Sequence, residues 1–290
     1  MNIYLDTNLW NELFKQSIDA SSLHAALSQQ RKKLALGDQT MYELAQTFER
    51  NAQMGQGFFR YLKQFADAGI TVTHDIQEIL HREAKAHGQP IEPFAIGAEY
   101  QAFIADIDKL ATGIVDETVR QDMELRQQSV PVNQNKQKAH LENRPDMLND
   151  FLLIDESQLE DWMVSIMQKD DGTAILTGQL VKMLGIPDVL AMLCAQELIA
   201  LPSTRIAKGL VRADLYFNWR GAHMARVGQN WIKGDLQHDM HHVLSSSYCD
   251  VYATKEANQE RYAHLLLTPA TRVCIFEKKV PIDDWLLAFN

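Results

Sequence analysis

Two short apolar segments lie near opposite ends of this chain, and each runs directly into carboxylates. Asn2-Ile3-Tyr4-Leu5 stops at Asp6-Thr7-Asn8, and Cys249-Asp250-Val251-Tyr252-Ala253-Thr254 stops at Lys255-Glu256. Apolar runs of this length, rich in β-branched and aromatic residues, read as buried strands. Similar runs occur at Lys33–Leu36, Ile70–Val72 and Arg272–Phe276. From Ile76 to about Ala200 strand signals are sparse. Helical periodicity takes over there, in Ile76–Lys85, Ala95–Met123, Leu159–Met167 and Thr173–Leu184. Short strands alternating with helices favour a parallel sheet. The expected fold is α/β: a parallel sheet built from both chain ends (1–75 and 200–290), flanked by helices, with a mostly α-helical insertion over 76–199.

Local signals place the candidate chemistry on these elements. Thr40 is the expected cap of a helix running from Met41 to about Asn51, which carries Glu43. Asp239 is expected to begin a helix over Asp239–Tyr248. Ser21–Gln30 and Glu256–Leu265 read as helices, and Leu201–Thr204 caps another that extends to about Val227. Gln127–Pro145 is polar and reads as a surface loop.

The chain has 290 residues, 46% of them hydrophobic, which is enough for a full core. Its 28 basic and 38 acidic residues give −10, which argues against attachment to nucleic acid by net charge alone. Cys194, Cys249 and Cys274 are too scattered for a disulfide framework or a cysteine zinc site. They read as buried, reduced thiols in a cytoplasmic setting. The opening residues carry no signal-peptide pattern. Lys182, Asp188 and Glu197 interrupt the apolar stretch Ala174–Leu201, so it reads as core helices broken at Gly185-Ile186-Pro187 rather than as a membrane span.

In open parallel sheets, ligands bind beyond the carboxyl ends of the strands. Asp6 ends the first strand, Glu256 follows a late one, and Glu43 and Asp239 lie on adjoining helices. Singly, each acid has a plain structural reading: Asp6 as a helix cap, Glu43 as a solvated helix residue, Asp239 and Glu256 as dipole-complementing charges, Asp250 as a turn residue. Together in one pocket they repel and need a cation. Hard oxygen donors select Mg²⁺ or Mn²⁺, and such a cluster suits attack of metal-activated water on a phosphodiester.

The order of these residues resembles the PIN-domain family. The matching segments are Ile3-Tyr4-Leu5-Asp6-Thr7-Asn8, then Met41-Tyr42-Glu43-Leu44, then Asp239-Met240-His241-His242, and finally Cys249–Glu256. The resemblance covers about 75 residues at one end and about 55 at the other. It implies a parallel sheet sandwiched by helices and a Mg²⁺- or Mn²⁺-dependent endoribonuclease activity. It also implies RNA as partner and, as in the toxins of this family, an antitoxin-like protein. By the same resemblance Asp6, Glu43 and Asp239 would bind metal, with Glu256 as a fourth catalytic acid where the family usually has aspartate. Thr7 or Asn8 would be the polar partner after the first acid. The alternative on the same fold is a catalytically inactive module that binds RNA or protein.

Other signals compete with this reading. His238-Asp239 is also the dipeptide of HD-type phosphohydrolases, which are all-helical and need an earlier histidine, for which His81 would have to serve. His241 and His242 read as ordinary core or surface histidines. Arg205, Lys208, Arg212, Arg220, Arg226 and Lys233, interleaved with Tyr216, Phe217, Trp219 and Trp231, suit either phosphate contact and base stacking or an amphipathic helix with a buried aromatic face. Arg220, Arg226 and Lys255 are the basic candidates for substrate contact. No Gly-rich phosphate loop or nucleophile elbow is present.

Overall fold

The computed structural model describes residues 1–117, 145–227 and 235–289, together with 120, 121, 124, 135, 139 and 143. The polar segment Gln127–Pro145 falls almost wholly outside these, as do Trp231 and Lys233.

Five parallel strands form the sheet: β1 (Asn2–Leu5), β2 (Lys33–Leu36), β3 (Thr71–Val72), β4 (Val251–Thr254) and β5 (Arg272–Ile275), in the order β3-β2-β1-β4-β5. The first strand is thus central, and the pairing Ile3↔Val251, Leu5↔Ala253 joins the two ends of the chain. Asp250 adds to that seam by accepting the Asn2 amide at 2.6 Å. Among the described residues between Val72 and Val251 there are helices and one isolated bridge, Thr73 to Phe94, but no further strand.

Successive side chains of a strand face opposite ways, and both faces here are covered. Ile3, Leu5, Leu34, Leu36, Val251 and Ala253 face one cluster. There they meet helices α1 (Thr7–Lys15), α2 (Ala20–Gln29), α3 (Asp38–Ala45), the short α4 (Thr47–Arg50), α5 (Ala52–Ala68), and, from later in the chain, a helix over Gly97–Ala111 and one over Ile282–Leu287. Tyr4, Ala35 and Tyr252 face the other. It is filled by α6 (Ile76–Ala86) and, after α7 (Gly97–Ala111), by α8 (Pro145–Leu152), α9 (Leu159–Met167), α10 (Asp170–Leu184), α11 (Asp188–Ala200), α12 (Ile206–Arg226), α13 (Asp235–Ser245) and α14 (Ala257–Leu266). The chain closes with α15 (Ile282–Leu287). The helices of 76–199 therefore share their apolar contacts with the sheet: α7 packs on one face, α6 and α8–α11 join the cluster on the other.

Several expected boundaries move. Thr40 does not cap α3. Gly37 does, the helix starts at Asp38, and Thr40 is wholly buried inside it. Gly37 is required there because a Cβ would come within 2.9 Å of the Tyr4 hydroxyl and 2.8 Å of Thr73 Oγ1. Asp239 lies inside α13 rather than at its start. The helix expected over Ala95–Met123 ends at Ala111, followed by Gly113 at φ 88°. Helix α5 has no counterpart among the expected helices; Asn51 caps it by accepting from Met54, and Phe58, Phe59, Leu62 and Phe65 give it a buried face. Only Cys249 of the three thiols is buried. The apolar stretch across Gly185 does form two helices, but the outer side of α11 leaves Val189, Leu190 and Leu193 exposed.

One capping defect is measurable. Helix α2 ends with Lys32 N donating to Leu27 O and Arg31 N to Ser28 O, which puts Arg31 at φ 57°, a conformation that favours glycine. Relief of the left-handed strain exceeds the added chain entropy of glycine. Arg31→Gly is therefore expected to stabilise the chain by about 0.5–1 kcal/mol in a urea titration. A loss of stability would show that the Arg31 side chain contributes more than the strain costs.

Candidate functional site

The sheet order reverses between β1 and β4, and it is at such a switch point that open α/β sheets form a crevice. Asp6 and Thr254 are the residues at its rim. Asp6 is fully buried. Its Oδ1 accepts the Leu9 amide at 2.8 Å as the cap of α1, and its Oδ2 accepts the Thr254 hydroxyl at 2.6 Å. The Thr254 oxygen in turn accepts the Glu256 amide at 3.0 Å. One threonine thus links the first acid to the backbone of the last, and Asn8 donates to the Glu256 carboxylate across the same gap.

Helix α3 brings Glu43, and α13 brings the group that meets it. His242 Nε2 lies 2.9 Å from Glu43 Oε1 and 3.1 Å from Thr7 Oγ1. Its Nδ1 lies 3.2 Å from the Tyr4 hydroxyl, which is 3.4 Å from Thr40 Oγ1. Tyr4, Thr40 and His242 are all buried. Gln39, one turn before Glu43 on α3, donates Nε2 to the same Oε1 at 2.9 Å and contacts His238 Nδ1 at 3.1 Å. Burial pushes the Glu43 carboxyl up, but the charge and N–H of His242, with Thr7 and Gln39, outweigh it and bring the group to about 2. For His242, burial works downward, and Glu43, then Asp6 and Asp239, pull it above its ordinary value.

For Asp6 and Asp239 burial outweighs the help that His242 and their donors give. Burial raises Asp6 to about 6 despite its Thr254 and Leu9 donors, and Glu256 adds repulsion. Burial raises Asp239 to about 7, although Gln259 Nε2 donates to its Oδ1 at 3.0 Å; Glu256 and Glu43 push it further. Gln259 is fixed from below by the Tyr252 hydroxyl. Asp6 and Asp239 both feel Glu256 and His242, and Asp239 also feels Glu43. Among the described residues, no three His, Cys, Asp or Glu side chains are placed to ligate one ion as they stand. The fit to a divalent cation is one of donor chemistry: hard carboxylate oxygens, two of them raised by burial.

The basic candidates are distributed differently. Lys255 Nζ lies 3.2 Å from the buried Glu12, which Lys278 also approaches at 3.9 Å. Arg205 donates to Ser247 O and covers the Tyr248 ring, Lys208 donates to Leu201 O, and Arg212 to Leu265 O and Leu267 O. Tyr216 and Trp219 are core residues. That part of the stretch ties α12 to its neighbours. Half-buried Arg220 acts electrostatically on Tyr216 and Tyr262; Arg226 is exposed at the end of α12. His81 is exposed beside Glu78.

Four polar residues of the site carry no motif of their own: Gln39, Thr40, His242 and Gln259. The available signal is spacing, since Gln39 stands four residues before Glu43 and His242 three after Asp239, each a helical neighbour. Compared with protein-family models, curated proteins and solved structures, the chain has no significant match. No described helix is long and apolar enough to cross a membrane.

Proposed function

We propose that the chain is a PIN-like, metal-dependent endonuclease acting on RNA. The observation that supports this is the grouping of four acids beyond the carboxyl ends of β1 and β4: Thr254 links Asp6 to Glu256, Asp239 feels Glu256 and Glu43, and His242 feels Glu43, Asp6 and Asp239. Asp6, Glu43 and Asp239, with Glu256, would hold Mg²⁺ or Mn²⁺, which supplies Lewis acidity and a water of lowered pKa. The chain's own contribution is placement. Thr254 and Leu9 fix both oxygens of Asp6, Gln259 fixes one of Asp239, and Asn8 fixes Glu256. RNA as substrate rests on the family resemblance. The parallel sheet is not the all-helical setting that an HD-type reading requires.

The test is cleavage of labelled single-stranded and structured RNAs with Mn²⁺, Mg²⁺ or EDTA. Metal-dependent products are expected, and no cleavage in any metal would count against the reading. Glutamate at position 256, where the family usually has aspartate, favours the second reading, an inactive binding module. That module would bind RNA without binding Mn²⁺.

Substrate contact gives a separate expectation. Lys255 sits beside Glu256 with Glu12 holding its ammonium, so it would meet a phosphate rather than reacting atoms. Lys255→Met should raise KM for RNA with little change in kcat. It should also flatten the salt dependence of single-strand binding by about 0.7 in log–log slope. An unchanged slope would remove Lys255 from the substrate path.

A further inference from the structure

The acids stand at the carboxyl edge of the sheet, and a different set of groups gathers at its amino edge. A cavity of about 640 Å³ opens there, at the starts of β1, β2 and β3, lined in part by Arg31, Lys33, Glu92, Phe94, Ile96 and Tyr100. That volume is ordinary for a small-molecule site. Arg31 and Lys33 are exposed, and among the described residues neither side chain makes an ion pair or a hydrogen bond. Lys32, between them, is buried and turned away, with Nζ donating to Leu287 O at 2.7 Å. Glu92 is the one carboxylate of the lining, and its Oε1 accepts the Phe94 amide at 3.1 Å. The cavity is therefore a locally positive place on a chain of net charge −10.

Arg31 holds this place against its backbone preference. Its N–H donates to Ser28 O and its carbonyl accepts from the Met1 ammonium at 2.7 Å, with φ at 57°. Glycine is the usual residue at such a helix end, and arginine there is strained. A strained residue whose side chain no neighbour engages, at the rim of a cavity, points to a ligand. The apolar lining says what else the ligand carries. Phe94 and Tyr100 are half-buried aromatic walls, and Ile96 beside them is 60% exposed. Cations take a phosphate, and aromatic faces stack a base. We propose that this cavity binds a nucleotide, its phosphate on Arg31 and Lys33 and its base against Phe94 and Tyr100. The site is separate from the acid cluster, and the inference does not rest on the metal-dependent reading. A free mononucleotide and the phosphorylated 5′ end of an RNA strand carry the same chemistry.

Equilibrium dialysis of adenosine monophosphate (AMP) against the full chain, in EDTA at low ionic strength, tests it without reference to cleavage. One AMP per chain should bind, with inorganic phosphate a much weaker competitor. Arg31→Gly should weaken AMP binding by about tenfold. Because the same variant is expected to be the more stable one in urea, lost binding would not reflect a damaged fold. Lys33→Met should weaken AMP severalfold. Phe94→Leu keeps an apolar wall but removes the ring, and should weaken AMP while leaving competition by phosphate unchanged. Asp6→Asn, at the other edge of the sheet, should bind AMP as the wild type does. A 5′-phosphorylated RNA that displaces AMP better than its unphosphorylated twin would identify an RNA end as the source. AMP binding tighter than that RNA would identify the free nucleotide, and both results uphold the site. No AMP bound to the wild type would overturn the inference, as would unchanged affinity in both Arg31→Gly and Lys33→Met. Loss of AMP in Asp6→Asn would also overturn it, by placing the nucleotide at the acids, and phosphate binding as tightly as AMP would leave no role for the aromatic walls. Each of these results leaves metal-dependent cleavage to stand or fall on its own assay.

Discussion

Asp6→Asn is expected to reduce metal-dependent RNA cleavage by more than a hundredfold while leaving the far-ultraviolet circular dichroism unchanged. The size follows from position. Outer-shell changes in metal sites typically cost about 10–100-fold, and Asp6 is an inner candidate with both oxygens held in place. The fold should survive because asparagine caps helices about as well as aspartate. Its amide oxygen can still accept the Leu9 N–H, and the Thr254 oxygen can accept the new amide. What is lost is a buried negative charge at the end of β1. Activity close to wild type would remove Asp6 from the catalytic set and with it the proposed chemistry. A collapsed spectrum would instead mean that the cap, not the charge, had been tested.

Asp239→Asn should behave in an opposite way for stability. Burial raises the Asp239 carboxyl from its ordinary 3.8 to about 7, so the folded chain holds this proton more tightly than the unfolded chain. Below pH 4 both states are protonated and the group has no effect. As pH rises from about 4 to 7 the unfolded state loses its proton first, and folding stability falls; above 7 the full penalty is present. Asparagine keeps the acceptor for Gln259 and carries no charge. In EDTA at pH 8 the variant should gain about 2 kcal/mol, discounted for the side chain's partial exposure, or roughly 4 °C in Tm. At pH 4 the gain should vanish. With Mn²⁺ the order should reverse, because only the wild type gains from binding. A variant less stable than wild type at pH 8 would show that Asp239 is already compensated in the metal-free chain.

The strands and two of the acids could be read from the sequence because their signals are local. Asp6 and Glu256 follow apolar runs short enough to be strands, and the chain direction alone places them at one sheet edge. Glu43 and Asp239 needed the family resemblance, since a glutamate or aspartate on a helix has no local mark of burial. His242 went the other way: its local setting suggested an ordinary core or surface residue, and only tertiary packing sets it against Glu43 and Tyr4. The basic stretch left two readings open, and Arg205, Lys208 and Arg212 fit the amphipathic helix: each donates to backbone carbonyls while Tyr216 and Trp219 lie in the core. Helix α7 stops early because Gly113 turns the chain, whereas hydrophobic periodicity alone runs on to Met123.

The pairing of Asp6 with Thr254 spans 248 positions. Chains are made at about 5–20 residues per second, so roughly 12–50 s separate the synthesis of the two partners. Through that interval β1 has β2 on one side and nothing on the other. The crevice, its acids and the hydrogen bonds that aim them do not exist until β4 emerges. An acid cluster built this way is incomplete while its own message is still being read, and any shortened product that ends before Val251 lacks both Glu256 and the threonine that holds Asp6.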